Sequence, residues 1–313
     1  MTTSDFRADT VAILMCTYNG ARYLEQQLHS FSAQSHQDWL LYASDDDSSD
    51  TTREILTHYQ QLWSTREVKV LEGPANGFVD NFISVTRAAE GSAAYYAWSD
   101  QDDIWHADKL ERALQWLKSI PEDRPALYCG RTQLVDETNQ YLGLSMLFRK
   151  QPSFANALMQ SIGGGNTMVF NQAACRLLLQ TSENTQLVSH DWWAYIIISG
   201  AGGRVFYDQQ PCLRYRQHGD NLVGANISWI ARIIRIARLL QGRYKHWNTT
   251  NIAALQQHKE CLTANNLQIV QSFAHAKQKG LLARLVLLKR SGVYRQTLIG
   301  NIGLVFAAVF NKL

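Results

Sequence analysis

The hydrophobic positions in the first 120 residues alternate between short continuous runs and helical spacing. Residues 11–16 (VAILMC) form an unbroken apolar run, which is typical of a strand buried on both faces. Three further strands are predicted at residues 39–43, 68–71 and 94–98. Apolar residues at helical spacing predict helices at residues 21–34, 48–63, 78–89 and 107–119. This alternation predicts an α/β fold with a mostly parallel, Rossmann-like central sheet and helices on both faces.

The pattern changes twice after this first half. Residues 126–218 combine strand-like pieces, helical segments and a glycine loop at 163–165, and we interpret them as the second half of the same domain. From residue 225 the pattern is mainly helical. We therefore predict one α/β domain over residues 1–224 and a helical C-terminal region over residues 225–313.

Composition and charge exclude several classes of protein. Hydrophobic residues make up 46% of the chain and charged residues 18%, which indicates a folded globular protein. The net charge of +3 is too small to indicate a nucleic-acid partner, and we expect none. The five cysteines are scattered without a CxxC pair, as is typical of reduced thiols in a cytosolic protein.

Targeting signals are not evident in the sequence. Residues 1–9 are polar, unlike a signal peptide. No stretch reaches the roughly 18 to 20 apolar residues that a membrane-spanning helix requires, and residues 298–310 come closest. We expect a cytoplasmic protein. A basic helical pattern at residues 229–240 leaves two interpretations open: peripheral contact with the inner face of the plasma membrane, or packing on the α/β domain with a solvated basic face.

Polar and acidic clusters follow three of the predicted strands. They are residues 17–20 (TYNG), 44–50 (SDDDSSD) and 99–103 (SDQDD). Ligands bind beyond the carboxyl ends of strands in open parallel sheets. The spacing of Asp100 and Asp102 suits Mg²⁺ or Mn²⁺, whereas the alternative is a solvated turn before the next helix. The middle cluster suits a nucleoside, although Asp47, Ser48 or Ser49 would then also be able to cap the following helix.

Six motifs together resemble glycosyltransferase family 2, whose members have the GT-A fold. They are CTYNG at 16–20, SDDDSSD at 44–50, SDQDDIW at 99–105, GGNTMVFN at 164–171, HDWW at 190–193 and YRQH at 215–218. Their order and spacing are specific, and they cover residues from about 11 to 224. The SDQDDIW and YRQH forms resemble the rhamnosyltransferase-like branch. One departure is Asp47, where the family more usually has glycine.

The resemblance implies roles for individual residues. It implies that the nucleotide sugar is bound by Thr17, Tyr18, Asn19, Asp45, Asp46, Asn76, Asp100 and Gln101. It implies a metal ion, Mg²⁺ or Mn²⁺, on Asp100, Asp102 and His218. Asp191 would be the catalytic base, because an acceptor hydroxyl must lose its proton as it attacks, while the alternative role for Asp191 is helix capping.

The acceptor and sugar side is less well defined by the sequence. The candidate residues are Trp105, Gly164, Gly165, Asn166, Trp192 and Arg216. Trp105 and Trp192 are candidates for stacking on sugar faces, and the alternative is that both belong to the hydrophobic core. The glycines would allow the backbone to approach the acceptor, or would form a flexible turn.

Together these features predict an inverting, metal-dependent glycosyltransferase of cell-surface polysaccharide synthesis. It would move a sugar, rhamnose by resemblance, from a dTDP-, UDP- or GDP-linked donor to a glycan or a lipid-linked glycan. Two alternatives are an inactive glycan-binding module and a nucleotidyltransferase. The latter usually has a glycine-rich basic loop after the first strand, whereas the loop here has only Gly20.

Overall fold

The computed structural model describes residues 9–182, 184–218 and 244–313. Within them, the strands are β1 (Val11–Thr17), β2 (Trp39–Asp45), β3 (Val68–Glu72), β4 (Tyr95–Ser99), β5 (Ile104–Trp105), β6 (Ala126–Val135), β7 (Tyr141–Leu144), β8 (Val169–Asn171) and β9 (Arg204–Arg216). The helices of the first 218 residues are α1 (Ala21–Ser32), α2 (Thr52–Leu62), α3 (Phe78–Ala88), α4 (Lys109–Leu117), α5 (Phe154–Ala157), α6 (Gln172–Leu179) and α7 (His190–Gly200). The C-terminal helices are α8 (Tyr244–Gln257), α9 (Ala264–Gln278), α10 (Leu281–Ser291) and α11 (Leu298–Val309).

Strand β1 shows why the sheet carries helices on both faces. Successive side chains of a strand point to opposite faces. Ile13 and Met15 accordingly join a core with residues of α1, α2 and α4, whereas Ala12 and Leu14 join a second core with residues of α3, α6 and α7. All four side chains are fully buried. The unbroken apolar run in the sequence is thus explained by two packed faces.

The sheet is mixed, with order β3-β2-β1-β4-β8-β6-β9-β5, and β7 pairs with β6. Strands β1 to β4, β6 and β9 run in one direction, and β5, β7 and β8 run in the other. The predicted α/β class with helices on both faces is confirmed, and most strands are codirectional. Two of the three antiparallel strands, β7 and β8, lie within residues 126–218, where the sequence pattern is irregular.

The order of the first four strands creates a crevice in the sheet. The chain moves outward from β1 to β3 and then returns to place β4 on the other side of β1. Ligands bind at such reversal points, beyond the carboxyl ends of the strands. The pairs Thr17–Asp45 and Met15–Ser99 lie in register, so the loops after β1, β2 and β4 start at one edge.

The C-terminal helices pack on the core that surrounds α7. Leu255 of α8 and Phe273 of α9 are buried in that core. Asn266 Nδ2 donates to the carbonyl oxygens of Ser199 and Gly200, at 3.1 and 2.9 Å, and so satisfies backbone groups that the end of a helix leaves unpaired. The basic segment 229–240 lies outside the described residues. Among the helices described here, none has the length and apolar character to cross a bilayer.

Candidate functional site

Six segments that are distant in sequence meet at the carboxyl edge of the sheet. The loops after β1, β2 and β4 begin there. His218 follows β9, which runs in the same direction, and the turn before the antiparallel strand β8 lies at this edge too. α7 begins beside that turn, since a Cβ on Gly165 would lie 2.3 Å from His190 Nε2. This is the edge at which the polar and acidic clusters of the sequence predict a ligand site.

Gln101 joins the loops after β1 and β4. The Tyr18 amide donates to Gln101 Oε1 at 2.8 Å, and Gln101 Nε2 donates to the Tyr18 carbonyl oxygen at 2.9 Å. A Cβ on Gly20 would lie 2.1 Å from that Oε1, so a larger residue at this position would displace the Gln101 side chain. The Tyr18 side chain remains 59% exposed at the mouth of the crevice. The backbone is therefore held while the ring faces solvent.

The buried carboxylate of Asp45 receives donors from three side chains and one amide. Oδ2 accepts from Thr17 Oγ1 at 2.7 Å and from Ser48 Oγ at 2.6 Å. Oδ1 accepts from the Ser48 amide and from Arg53 Nε, each at 3.0 Å. The geometry makes Asp45 and Thr17 organisers of the two loops. Their contact with a nucleoside stays a prediction.

Asp46 and Asn19 bond to neighbouring loops in a similar way. Asp46 Oδ1 accepts from the Ala75 amide at 2.8 Å, and Oδ2 accepts from the Gly77 amide at 2.9 Å. Asn19 Oδ1 accepts from the Ser49 amide at 2.8 Å. Both side chains shape the walls of the crevice, and their predicted contacts with the donor are likewise still predictions.

The turn after β2 explains the departure from the family pattern. Asp47 has φ 71°, which is the left-handed region that favours glycine. The chain thus keeps the backbone conformation with an aspartate in place. The capping interpretation for Asp47, Ser48 and Ser49 is wrong, because α2 begins later, at Thr52, without a side-chain cap bond. Asp50 Oδ1 instead accepts from the Thr52 amide at 3.0 Å.

Three carboxylates form an acidic cluster after β4. Asp100, Asp102 and Asp103 can each place an oxygen within 4.8 Å of the others. Burial, followed by the charges of Asp102 and Asp191, raises the pKa of Asp100 to about 7. Burial, followed by the charges of Asp102 and Asp100, raises the pKa of Asp103 as well. This crowding of negative charge, with two members partly exposed, fits a hard divalent cation.

Asp103 differs from Asp100 and Asp102 because a buried side chain of the protein donates a hydrogen bond to its carboxylate. Asn166 Nδ2 donates to Asp103 Oδ2 at 2.5 Å, and the Asn166 carbonyl accepts from the buried Lys109 Nζ at 2.6 Å. Burial lowers the pKa of Lys109 to about 7. Lys109 Nζ also lies 3.2 Å from the centroid of the Trp105 ring. Asp103 and Asn166 thus belong to an internal network beneath the cluster, which leaves Asp100 and Asp102 as its outer members.

His218 meets Asp102, as the metal-site hypothesis requires. His218 Nε2 lies 2.8 Å from Asp102 Oδ2, and the two side chains are 9% and 19% exposed. The preceding Arg216 is buried, and its Nε donates to the Asp102 carbonyl oxygen at 3.1 Å. Its Nη2 donates to Gln26 Oε1 at 2.6 Å. Arg216 therefore fixes the segment that presents His218, and its predicted contact with the acceptor remains untested.

Asp191 lies in the first turn of α7. Oδ1 accepts from the Ser189 hydroxyl and from the Trp192 amide, the latter at 2.7 Å. Both hydrogen bonds end on Asp191 Oδ1, and neither involves Asp191 Oδ2. Asp191 is close enough to Asp100 for its charge to raise the pKa of Asp100. The structure thus brings the predicted base and the predicted metal ligands to one side of the crevice.

His190 is a feature that sequence reasoning missed. Its ring is buried, stacks on Phe82 with centroids 3.9 Å apart, and approaches Trp98 edge-on at 4.8 Å. Burial lowers its pKa to about 4. Both ring nitrogens lack a hydrogen-bond partner among the described residues. The only sequence signal was its position directly before Asp191.

The predicted sugar-stacking tryptophans are in the interior. Trp105 is 3% exposed and Trp192 is 6% exposed. Trp192 Nε1 donates to the Ala157 carbonyl oxygen at 2.7 Å. This placement favours the hydrophobic-core alternative for both residues. Gly164 and Gly165 lie in the turn before β8, and Gly165 makes room for His190.

Asn76 faces a groove beside the crevice. A cavity of about 490 Å³ lies between α3, residues 184–188 and α8. Asn76, Asp80, Thr185 and Trp247 are among the residues that line it. Asn76 Nδ2 donates to Asp80 Oδ2. Its predicted contact with the nucleotide sugar stays a prediction.

Comparison with known proteins agrees with the fold. The family model described as glycosyl transferase family 2 matches residues 12–181. The dTDP-rhamnosyl transferase RfbG of Shigella flexneri is 28% identical over 252 residues, which are 76% of this chain and 83% of RfbG. The UDP-Glc:alpha-D-GlcNAc-diphosphoundecaprenol beta-1,3-glucosyltransferase WfgD of Escherichia coli is 32% identical over 108 residues, which are 34% of this chain and 40% of WfgD.

Solved structures share the fold. TarS residues 1–349 of S. aureus, in complex with UDP-GlcNAc, superpose with a TM-score of 0.56 at 14% identity, covering 96% of this chain and 90% of that one. The mannosyltransferase PcManGT of Pyrobaculum calidifontis, in complex with GDP-Man and Mn²⁺, superposes with a TM-score of 0.51 at 15% identity, covering 98% of this chain and 86% of that one. The family match covers more than half of the chain. The chain therefore belongs to glycosyl transferase family 2, and it is a glycosyltransferase with the GT-A fold.

Proposed function

We propose that the enzyme transfers rhamnose from dTDP-rhamnose to a hydroxyl of a glycan or lipid-linked glycan, with inversion of the anomeric configuration. The observation that supports this most is the convergence of Asp100, Asp102, His218 and Asp191 at one edge of the sheet. Similarity to RfbG over most of the chain favours dTDP-rhamnose over UDP- or GDP-linked donors. The lipid-linked acceptor in the name of WfgD supports a lipid-linked glycan as the acceptor of this enzyme, and we propose that the reaction belongs to cell-surface polysaccharide synthesis.

The acidic cluster fits a divalent cation, Mg²⁺ or Mn²⁺. Asp100 and Asp102 would supply carboxylate oxygens, and His218 would supply an imidazole nitrogen after releasing Asp102. A bound cation would neutralise the negative charge that the diphosphate gains as it leaves. Arg216 and the network around Asp103 keep the ligands in place.

Asp191 is the proposed base for the acceptor hydroxyl. The hydrogen bonds to Oδ1 fix the orientation of the carboxylate at the start of α7, so Oδ2 can accept the hydroxyl proton. A single base that activates the acceptor directly, without a covalent intermediate, implies inversion. Among the described residues, every cysteine with a shifted pKa has that pKa raised, which argues against a thiolate nucleophile.

The loops after β1 and β2 would hold the nucleoside. Tyr18 offers an exposed ring for stacking on the base, while Thr17, Asn19, Asp45 and Asp46 shape the pocket. We propose a cytoplasmic location, where nucleotide sugars are available, with the acceptor reached at the membrane surface.

A donor panel tests the reaction. The full chain is incubated with dTDP-rhamnose, UDP-glucose or GDP-mannose, with Mn²⁺ or with EDTA, and release of the nucleotide is measured. We expect the fastest release from dTDP-rhamnose with Mn²⁺ and none in EDTA. NMR of a transferred product should show the inverted anomer, and a retained anomer would refute the single-base mechanism. Absence of turnover with every donor would favour the glycan-binding alternative.

A further inference from the structure

The two parts of the chain have opposite charge. Residues 225–313 contain 13 Lys and Arg residues and one acidic residue, Glu260, which gives a formal charge of +12. Residues 1–224 contain 17 basic and 26 acidic residues, which gives −9. The net charge of +3 therefore conceals a strongly basic C-terminal region. Such a region is attracted to an anionic surface.

Helix α11 presents an apolar face to solvent. Leu304 and Ala308, one turn apart, are buried against the protein. On the other side Leu298 and Ile299 are 77% and 74% exposed, and Phe306 is 54% exposed. The helix contains no charged residue. A surface helix of a globular protein normally has polar residues on its outer face, so this arrangement is reversed.

Helix α10 adds apolar and basic side chains to the same region. Leu282 is 80% exposed and Val286 is 52% exposed. Lys289 lies three positions after Val286 and so shares a face of the helix with it. Lys289 and Arg290 are exposed, and the ion pairs found in the described part of the chain do not include them. Exposed apolar residues with unneutralised basic neighbours are typical of helices that lie in a membrane interface.

The segment before α11 is fastened to the catalytic domain. Gln296 Nε2 donates to Asn156 Oδ1 at 3.2 Å, and Arg295 Nη1 donates to the Met159 carbonyl oxygen at 3.0 Å. Trp192, which follows Asp191, donates to the carbonyl oxygen of Ala157, which lies with Asn156 in the short helix α5. A surface that holds α11 would therefore also fix the orientation of the active-site helix.

We propose that the exposed face of α10 and α11 docks on an anionic phospholipid bilayer. Helix α11 has 12 residues, so it is about 18 Å long and too short to cross a bilayer. It would lie in the interface with Phe306 and Ile299 among the acyl chains and with Lys289 and Arg290 at the phosphates. The formal charge of +12 disfavours a dimer in which two copies pair through this same region, because like charges repel.

Vesicle flotation of the full chain tests the docking surface without donor or acceptor. Wild-type protein should float with phosphatidylcholine vesicles that contain phosphatidylglycerol, and binding should weaken as salt increases. Phe306→Glu should reduce the bound-to-free ratio about tenfold or more. The matched control is Leu62→Glu on α2, because Leu62 is 59% exposed and the charge change is the same. It should bind as wild type does.

Charge reversal provides the second pair of variants. Lys289→Glu with Arg290→Glu should abolish the preference for anionic vesicles, whereas Arg176→Glu, an exposed residue of α6, should leave it unchanged. Circular dichroism confirms folding of each variant. Equal loss in Phe306→Glu and Leu62→Glu, or no wild-type flotation at low salt, would overturn the proposal.

Two further outcomes separate this inference from others. A wild-type dimer that Phe306→Glu dissociates, with no vesicle binding, would assign the face to a second copy and reject the bilayer. Vesicle binding by a protein that turns over no donor would support the docking surface and count only against the proposed reaction.

Discussion

Two acidic clusters follow neighbouring strands of the same sheet, and their carboxylates are treated differently by the protein. In the cluster after β2, Asp45 and Asp46 accept hydrogen bonds from amides, hydroxyls and Arg53. In the cluster after β4, Asp100 and Asp102 face other carboxylates, and the pKa of Asp100 rises to about 7. Similar sequences thus give a loop scaffold in one place and an excess of negative charge in the other.

The difference indicates where a cation belongs. Carboxylates whose oxygens already accept several protein donors gain little from a metal ion, because binding would break existing hydrogen bonds. Carboxylates that repel one another gain the full attraction of a divalent charge. The comparison therefore assigns metal binding to the cluster after β4. Substitutions at four positions test this difference between the two clusters.

The largest effect is expected from Asp191, which faces the second cluster. Asp191→Asn keeps the shape of the side chain but removes the proton acceptor, and kcat for transfer should fall about 10²- to 10⁴-fold. Mn²⁺ affinity should change little. Initial rates with saturating donor and acceptor measure the effect. Asp123→Asn, an exposed residue before β6 at the opposite edge of the sheet, is the control. A rate within twofold of wild type would exclude Asp191 as the base.

Asp45 should affect stability more than any residue of the second cluster. Asp45→Ala removes the acceptor for Thr17, Ser48 and Arg53 and should lower the free energy of unfolding by about 2 kcal/mol. The Arg53 contribution is small because that side chain is 44% exposed. Urea denaturation in EDTA measures the loss. Unchanged stability would mean that the first cluster is not a scaffold.

Replacing Asp100 should raise the free energy of unfolding at neutral pH, whereas replacing Asp45 should lower it. The folded pKa of Asp100, about 7, lies above the usual value near 3.9 in the unfolded chain. Between these values the folded state holds a proton that the unfolded state has released, so its contribution to the free energy of unfolding falls as pH rises from about 4 to 7.

Asp100→Asn should remove this pH dependence. In EDTA, the variant should gain stability relative to wild type between about pH 5 and pH 8, by on the order of 1 kcal/mol for a partly exposed site. The difference between the two urea curves cancels the contribution of His190, and it reports Asp100 together with Asp103 and Lys109, whose pKa values the charge of Asp100 also shifts. If the free energies of unfolding of wild type and variant change with pH in parallel, the pKa of Asp100 is not raised in the folded state.

The smallest effect concerns the turn of the first cluster. Asp47→Gly should raise the free energy of unfolding by at most about 1 kcal/mol, because glycine adopts positive φ without a steric cost. Asp47→Ala should lower it. Thermal unfolding of the two variants measures both changes, and the same sign for both would contradict the conformational explanation.

The sequence predicted the parts of the molecule that depend on local pattern. Continuous apolar runs located β1, β2 and β4, because strands buried on both faces need them. The motifs also predicted that His218 and Asp102 would meet, although they are 116 positions apart. The direction of the strands could not be predicted as well, because the short antiparallel strands β5 and β8 have no periodicity that distinguishes them from parallel strands.

The hydrogen-bond partners of the polar loop residues could not be predicted. The sequence could not show that Asp46 would bind the amides of Ala75 and Gly77, because those contacts depend on how a distant loop packs. Trp105 illustrates the same problem, as its burial beside Lys109 arises from the tertiary fold. Buried polar groups such as His190 are equally invisible in a single sequence.

The central claim is that the cluster after β4 binds the cation together with the donor diphosphate. Calorimetric titration of Mn²⁺ into protein with dTDP tests it most directly, using wild type, Asp102→Asn and the control Asp123→Asn. The account predicts one Mn²⁺ site in wild type and in the control, and about tenfold or greater loss of affinity in Asp102→Asn. Equal affinity in Asp102→Asn and wild type would contradict it.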